Sequence, residues 1–148
     1  MTLARALLIC CLAAALCTQA VVAERQVVLV AAATSPLQDL DSLELRKIYL
    51  GFPVRRDGRM VRGLRNTGDD DLNRIFLQAV VAMSEKSYMR RLLSLPLRQG
   101  TPRPSQYDKP ERLLDALFSD PYSVTYMWKE AADRSTDVKT LKVLWQQD

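Results

Sequence analysis

Apolar positions along the 148-residue chain change their period from segment to segment, and the changes divide it into elements. QVVLVAAA, Gln26 to Ala33, is a continuous valine-rich apolar run, the pattern of a strand covered on both faces. TSPLQDLDS follows as a polar loop broken by Pro36. Leu45, Ile48 and Tyr49 then recur at helical spacing, with Asp41 or Ser42 as the cap and Gly51 and Pro53 as the stop. In PVRRDGRMVRGLR the pair Asp57-Gly58 separates short strand-like pieces, a hairpin signal. Leu72, Ile75, Phe76, Ala79, Val80 and Met83 form one helical face, and a second helix starts at a Ser84 cap and stops before Pro96. Arg98 to Pro110, with three prolines and a glycine, reads as a loop. Pro110 suits the first turn of the next helix, whose stripe is Leu113, Leu114, Leu117 and Phe118. YSVTYMW and VKTLKVLW close the chain as two strands rich in β-branched and aromatic residues. Strands interleaved with helices predict an α/β fold: one domain, a mixed sheet flanked by helices. Tyr49, Phe76, Tyr88, Phe118 and Trp145 fall in apolar stripes and are expected in the core; Trp128, beside Lys129, fits a buried position least well.

The N-terminal segment follows other rules. One early charge, Arg5, precedes an apolar run from Ala6 to Leu16, and Val21-Val22-Ala23 ends in the compact residues that signal peptidase reads. Residues 1–23 are expected to be a signal peptide cleaved after Ala23, and 24–148 the folded domain, in the periplasm. The apolar run is short for a membrane span, which needs about 20 residues. Ile9, Cys10 and Leu16, the residues before the cysteines, disfavour a lipidated cysteine.

All three cysteines, Cys10, Cys11 and Cys17, lie in that leader, and the chain has no histidine. The mature domain therefore has no disulfide, no thiolate chemistry, no Cys/His zinc site and no histidine-based acid–base catalysis. No phosphate-cradling loop, dinucleotide fingerprint or nucleophile elbow is present, so no cofactor and no enzyme activity are expected. The net charge is +4, and the leader removes only Arg5 from the basic excess. Export makes nucleic acid an unattractive partner; anionic solutes, lipid headgroups or an acidic protein fit the charge better.

The densest chemistry lies in LRNTGDDDLNRIF, Leu64 to Phe76, which reads as a strand end, a glycine loop and a helix start. Such junctions hold anions on unpaired helix N–H groups. Here Asp69, Asp70 and Asp71 stand at that position, which leaves three readings. The aspartates cap the helix, with Asp70 pairing to Arg74 one turn on. They bind calcium, although the alternating loop spacing of a calcium site is missing. Or an anion site persists, built from Arg65 and Thr67 with the hydroxyls of Thr34 and Ser35 after the first strand. Arg55, Arg56, Arg59, Arg62 and Arg65 crowd one hairpin and its exit; they are either a solvated face or a docking patch for an acidic partner or lipid phosphates. Arg90, Arg91, Arg98 and Arg103 are candidates to extend that patch.

The order of these pieces resembles the short exported relatives of the phosphate-binding proteins that serve ABC transporters. The resemblance rests on the valine-rich strand and its Ser/Pro loop, on IYLG (Ile48 to Gly51), on Asp57-Gly58, and on PYSVTY (Pro121 to Tyr126), and it covers almost the whole mature chain. It implies a single periplasmic-binding-protein-like domain that binds phosphate or another small oxyanion without catalysis. Arg65 matches the arginine of the family's binding loop, Asn66, Thr67 and Gly68 are the residues there able to offer donors, and Asp69 to Asp71 stand where the family has a Ser-Gly-Thr run. Thr34 and Ser35 belong to the first loop. The alternative implied is a periplasmic interaction module that kept the fold, lost the ligand site and docks on a membrane transporter or sensor.

Overall fold

A computed structural model of the chain describes residues 24–95 and 103–147. The leader with its cleavage position and cysteines, the 96–102 part of the proline-rich loop, Arg98 among it, and residue 148 lie outside the described residues.

The valine-rich run forms β1 (Gln26–Ala32) in the middle of the molecule. β1 lies antiparallel between β6 (Ser123–Trp128) and β7 (Val138–Gln146). Beyond β6 come β4 (Arg62–Asn66) and β5 (Ser105–Tyr107), both parallel to β6, so the sheet order is β5-β4-β6-β1-β7. Alternation along β1 sends Val27, Leu29 and Ala31 into one core and Val28 and Val30 into another. That is why the run shows no polar positions: helices cover both faces.

On the first face lie α1 (Ser42–Tyr49), α2 (Asp70–Phe76) and α3 (Glu85–Ser94). On the second lie α4 (Pro110–Ser119) and α5 (Lys129–Asp133). α1 begins with a reciprocal capping box: Asp41 accepts from the Glu44 N–H, and Glu44 accepts from the Asp41 N–H. Between α1 and β4 the hairpin β2 (Arg55–Arg56) and β3 (Arg59–Met60) turns at Asp57 (φ 51°) and Gly58 (φ 76°). Two positive φ values are what a two-residue turn between twisted strands requires, which explains the Asp-Gly pair.

Three sequence expectations about the elements are corrected. The helix after the aspartates does not keep one phase. After Phe76 it widens into a π turn, Leu77–Val81, and ends at Ala82 in a left-handed conformation (φ 58°). The wider turn rotates the face, so Leu77 and Val81 are buried while Ala79, expected inside, is exposed. Part of the expected loop is strand: β5 pairs Leu64 with Ser105 and Asn66 with Tyr107, a register set by β4 and not by local pattern. Phe118 is 44 % exposed, because the α4 stripe that faces the sheet is centred on Leu113 and Leu117. One element had no counterpart in the sequence reading: α5 follows β6 directly, with no side-chain cap to announce it.

Tyr49, Phe76 and Tyr88 are fully buried, and Trp145 packs half-buried against the first core. Phe76 stacks on Tyr126 at 3.6 Å between ring centroids, and Tyr49 meets Phe76 edge-on at 4.6 Å. Each buried hydroxyl has an acceptor: Tyr88 donates to the Tyr49 carbonyl, Tyr126 to Asn73 Oδ1, and Tyr49 to the carbonyls of Leu64 and Val124. Burial pushes all three phenols well above their ordinary pKa, so they remain neutral donors.

Candidate functional site

β4 delivers Arg65 and Asn66 to the carboxyl end of the parallel strands, where open α/β sheets place ligands. The following loop is closely held. The Thr67 N–H and hydroxyl both donate to the Tyr107 carbonyl, at 2.9 and 3.1 Å. The Asn66 amide donates to the Tyr126 carbonyl at 3.1 Å. Gly68 is required by close approach, since a Cβ there would lie 2.4 Å from the Asp108 carbonyl oxygen.

Asp69 is the N-cap of α2. Its Oδ1 accepts from the Leu72 N–H at 3.0 Å, and its Oδ2 accepts from the Trp128 indole N–H at 2.9 Å. The Leu72 bond first, then the Trp128 bond, hold its pKa below the ordinary carboxylate value. The Arg25 guanidinium lies over the Trp128 ring, 4.1 Å from its centroid. Asp71, and not Asp70, pairs with Arg74, at 2.8 Å. On the short helix surface three residues of spacing brings that carboxylate within reach as well as four does. Among the described residues no group of three or more acidic side chains converges as a metal site.

Arg65 points to the first face and is 1 % exposed. Its guanidinium stacks 4.9 Å from the Tyr88 ring centroid. Nη1 donates to Gln106 Oε1 at 3.0 Å and contacts Met89 Sδ at 3.3 Å. Nε and Nη2 have no hydrogen-bond partner among the described residues. The nearest carboxylate is Glu85, with Oε1 3.6 Å from Nη2 and a side chain 59 % exposed. Nε and Nη2 together form the side edge of the guanidinium fork, the edge that grips an oxyanion with two parallel bonds. None of Glu85, Tyr88, Met89 or Gln106 was legible as a neighbour of Arg65, because three come from α3 and one from the unforeseen β5. The helical spacing of Glu85, Tyr88 and Met89 is the only trace that they share a face.

The two loops expected to share one anion do not meet. Pairing Val27 with Trp128 and Arg62 with Ser123 puts the start of β1 beside the carboxyl ends of β4 and β6. Thr34 and Ser35 follow the other end of β1, a strand of seven residues and so about 20 Å long. Thr34 is exposed there, and the Ser35 hydroxyl is spent: it donates to the Pro121 carbonyl and accepts from the Leu37 N–H. The hairpin arginines are also largely spent within the chain. Arg56 pairs with Glu44, Arg59 and Arg62 share Asp120, and Arg55 donates to the Gly58 carbonyl. Of their expected extension, Arg91 lies over the ring of exposed Phe52, and Arg103 donates to the Leu93 carbonyl at 3.4 Å.

Two phosphate-transport proteins are among the solved structures similar to the chain. One is an ABC-type phosphate transport receptor from Vibrio cholerae, with a TM-score of 0.55 at 12 % identity. The other is PstS from Borrelia burgdorferi, with a TM-score of 0.57 at 10 % identity. The likeness is one of fold. It covers 80 % of this chain but only 46 % and 47 % of theirs, so the chain spans less than half the length of either protein. The expected α/β domain, with its mixed five-stranded sheet flanked by helices, is the architecture these proteins share with it. No family model matches the sequence, and no curated protein matches it.

Proposed function

We propose that the chain is an exported, non-catalytic binding protein of the phosphate-receptor type, and that Arg65 is the group that holds a small oxyanion such as phosphate. One observation carries this reading: a guanidinium that is 1 % exposed keeps Nε and Nη2 without hydrogen-bond partners among the described residues. Leaving a buried charged donor unmatched costs several kcal/mol, so a partner for that edge is strongly favoured. The site differs from a helix-terminus cradle. The α2 N-terminus already carries the Asp69 carboxylate, and the Thr67 hydroxyl is committed. An oxyanion at Arg65 takes the place of Glu85, whose carboxylate stands too far from Nη2 for a hydrogen bond and is free to swing outward. Binding of this kind suits a part in ABC-type transport, the setting of the phosphate transport receptor from Vibrio cholerae whose fold the chain shares.

A second reading has its own support. Asp69 stands where a helix-bound anion would be, and the Ser35 and Thr67 hydroxyls are used internally. On that reading the chain is a periplasmic interaction module that docks on a membrane sensor or transporter without a ligand. Thermal unfolding separates the two, with phosphate and sulfate compared against chloride at matched ionic strength. A ligand at a hundred times its Kd adds about 2.7 kcal/mol, a rise of several degrees for a domain of this size. The oxyanion reading expects that rise, and expects it to vanish in Arg65→Met. No rise with either anion, in a protein whose Arg65→Met form is as stable or more so, rejects it in favour of the docking module.

A further inference from the structure

At the carboxyl ends of β4 and β6 a groove of about 250 Å³ opens across the end of the sheet, bounded by α4 and α5 on one face and by the α2 N-terminus with Leu72 and Trp128 on the other. Its wall is apolar, made chiefly by Leu113, Leu114 and Met127, with Trp128 at one side. Few polar groups reach it: beside Asn66 and Asp69 there are the Trp128 indole and Ser135, whose hydroxyl accepts from the Asp137 N–H. Among the described residues, Asp69 is the only charged side chain on the wall. The Leu72 and Trp128 bonds take one lone pair on each oxygen and the Asp71 N–H lies close by, which still leaves acceptor capacity on an ionised carboxylate with about four lone-pair directions. Asn66 gives its amide hydrogen to the Tyr126 carbonyl and keeps its own carbonyl oxygen as an acceptor. The Trp128 N–H is already committed to Asp69.

The surroundings favour positive charge. Asp69, Asp70 and Asp71 follow one another; Asp71 is matched by Arg74, while Asp70 takes part in none of the ion pairs among the described residues. The chain itself already places a cation at this corner, since the Arg25 guanidinium rests on the Trp128 ring. An aromatic face beside an ionised carboxylate is a seat that positive nitrogen occupies readily.

We propose that this groove binds a small organic cation: an apolar or aromatic body that packs on Leu113, Leu114 and Met127, carrying a protonated amine that donates to Asn66 Oδ1 and Asp69 beside Trp128. The site shares no lining residue with the surroundings of Arg65, and its charge preference is the opposite. An oxyanion is excluded from it by Asp69, as a cation is from the guanidinium edge.

Phenethylammonium, 2-phenylethanol and 3-phenylpropionate share a body and differ in head group, so they test the chemistry directly. Protein expressed from the full sequence and carrying Trp145→Phe leaves Trp128 as the fluorescent reporter. The expected result is a saturable change with the amine, binding about tenfold tighter than the alcohol, and none with the carboxylate. Asp69→Asn retains a capping acceptor and is expected to erase the preference for amine over alcohol. Ala131→Phe, an exposed position on the groove rim, is expected to abolish binding of every probe. No saturable change with the amine, carboxylate binding as tight as the amine, or a preference that survives Asp69→Asn overturns the proposal. Should Asp69→Asn fail to fold, an amine response undiminished in Ala131→Phe overturns it equally.

Discussion

Oδ1 of Asp69 accepts from the Leu72 backbone and Oδ2 from the Trp128 indole, so losing the carboxylate uncaps α2 and strands a half-buried N–H at once. Asp69→Ala is expected to cost about 1–2 kcal/mol in urea denaturation, within the range for lost caps. Asp69→Asn is expected to keep most of the cap. The two differ from the wild type in pH dependence. Hydrogen bonds to the ionised form hold the folded pKa below the unfolded value, which is about 3.9. The stability this supplies is therefore present in full above that value and lost as pH falls through the folded pKa. The advantage of the wild type over Asp69→Asn should be constant near neutral pH and shrink below about pH 4. An advantage that grows on acidification would show that the carboxylate is not what these bonds stabilise. At this scale the sequence placed the aspartate at the helix start correctly and missed its second partner. Capping is a local matter of three residues, whereas Trp128 arrives from a strand 59 positions away.

Among the elements, the helix that begins at Asp70 shows how far a local pattern reaches. Its first turns have the expected face, and then the π turn rotates the remainder and leaves Ala82 at φ 58°. A left-handed alanine costs about 1–2 kcal/mol, and glycine recovers this less about 0.4–1 kcal/mol of unfolded-state entropy. Ala82→Gly is therefore expected to raise stability by roughly 0.5–1 kcal/mol, read from the urea midpoint with an unchanged slope. A lower midpoint would mean that the Ala82 methyl packs in a way that its exposed position does not indicate. Leu77 and Val81 are both apolar, yet nothing in the order of residues reports an i+5 turn. The extra residue is accommodated because the rotated face finds Tyr88 and Leu92 of α3 in the same core.

For the molecule as a whole, the decisive fact is direction. β1 runs against β4 and β6, which sends Ser35 to one end of the sheet and Arg65 to the other. Thr34→Ala and Ser35→Ala are accordingly expected to leave any phosphate-dependent rise in unfolding temperature unchanged. Ser35→Ala still lowers overall stability by about 1–2 kcal/mol, because the Leu37 N–H loses its acceptor and the Pro121 carbonyl its donor. Loss of the phosphate response in either variant would place the first loop at the anion after all. By itself, the amino-acid order determined most of the element types, the α/β class, a cap at Asp41 or Ser42 and the Asp57-Gly58 turn, since propensity, periodicity and turn geometry act over a few residues. Only the tertiary structure decided strand direction, the β5 pairing, the burial of Arg65 beneath α3 and the meeting of Asp69 with Trp128. Each of those joins residues far apart in the chain, where contact is set by how whole faces pack and no local pattern can record it.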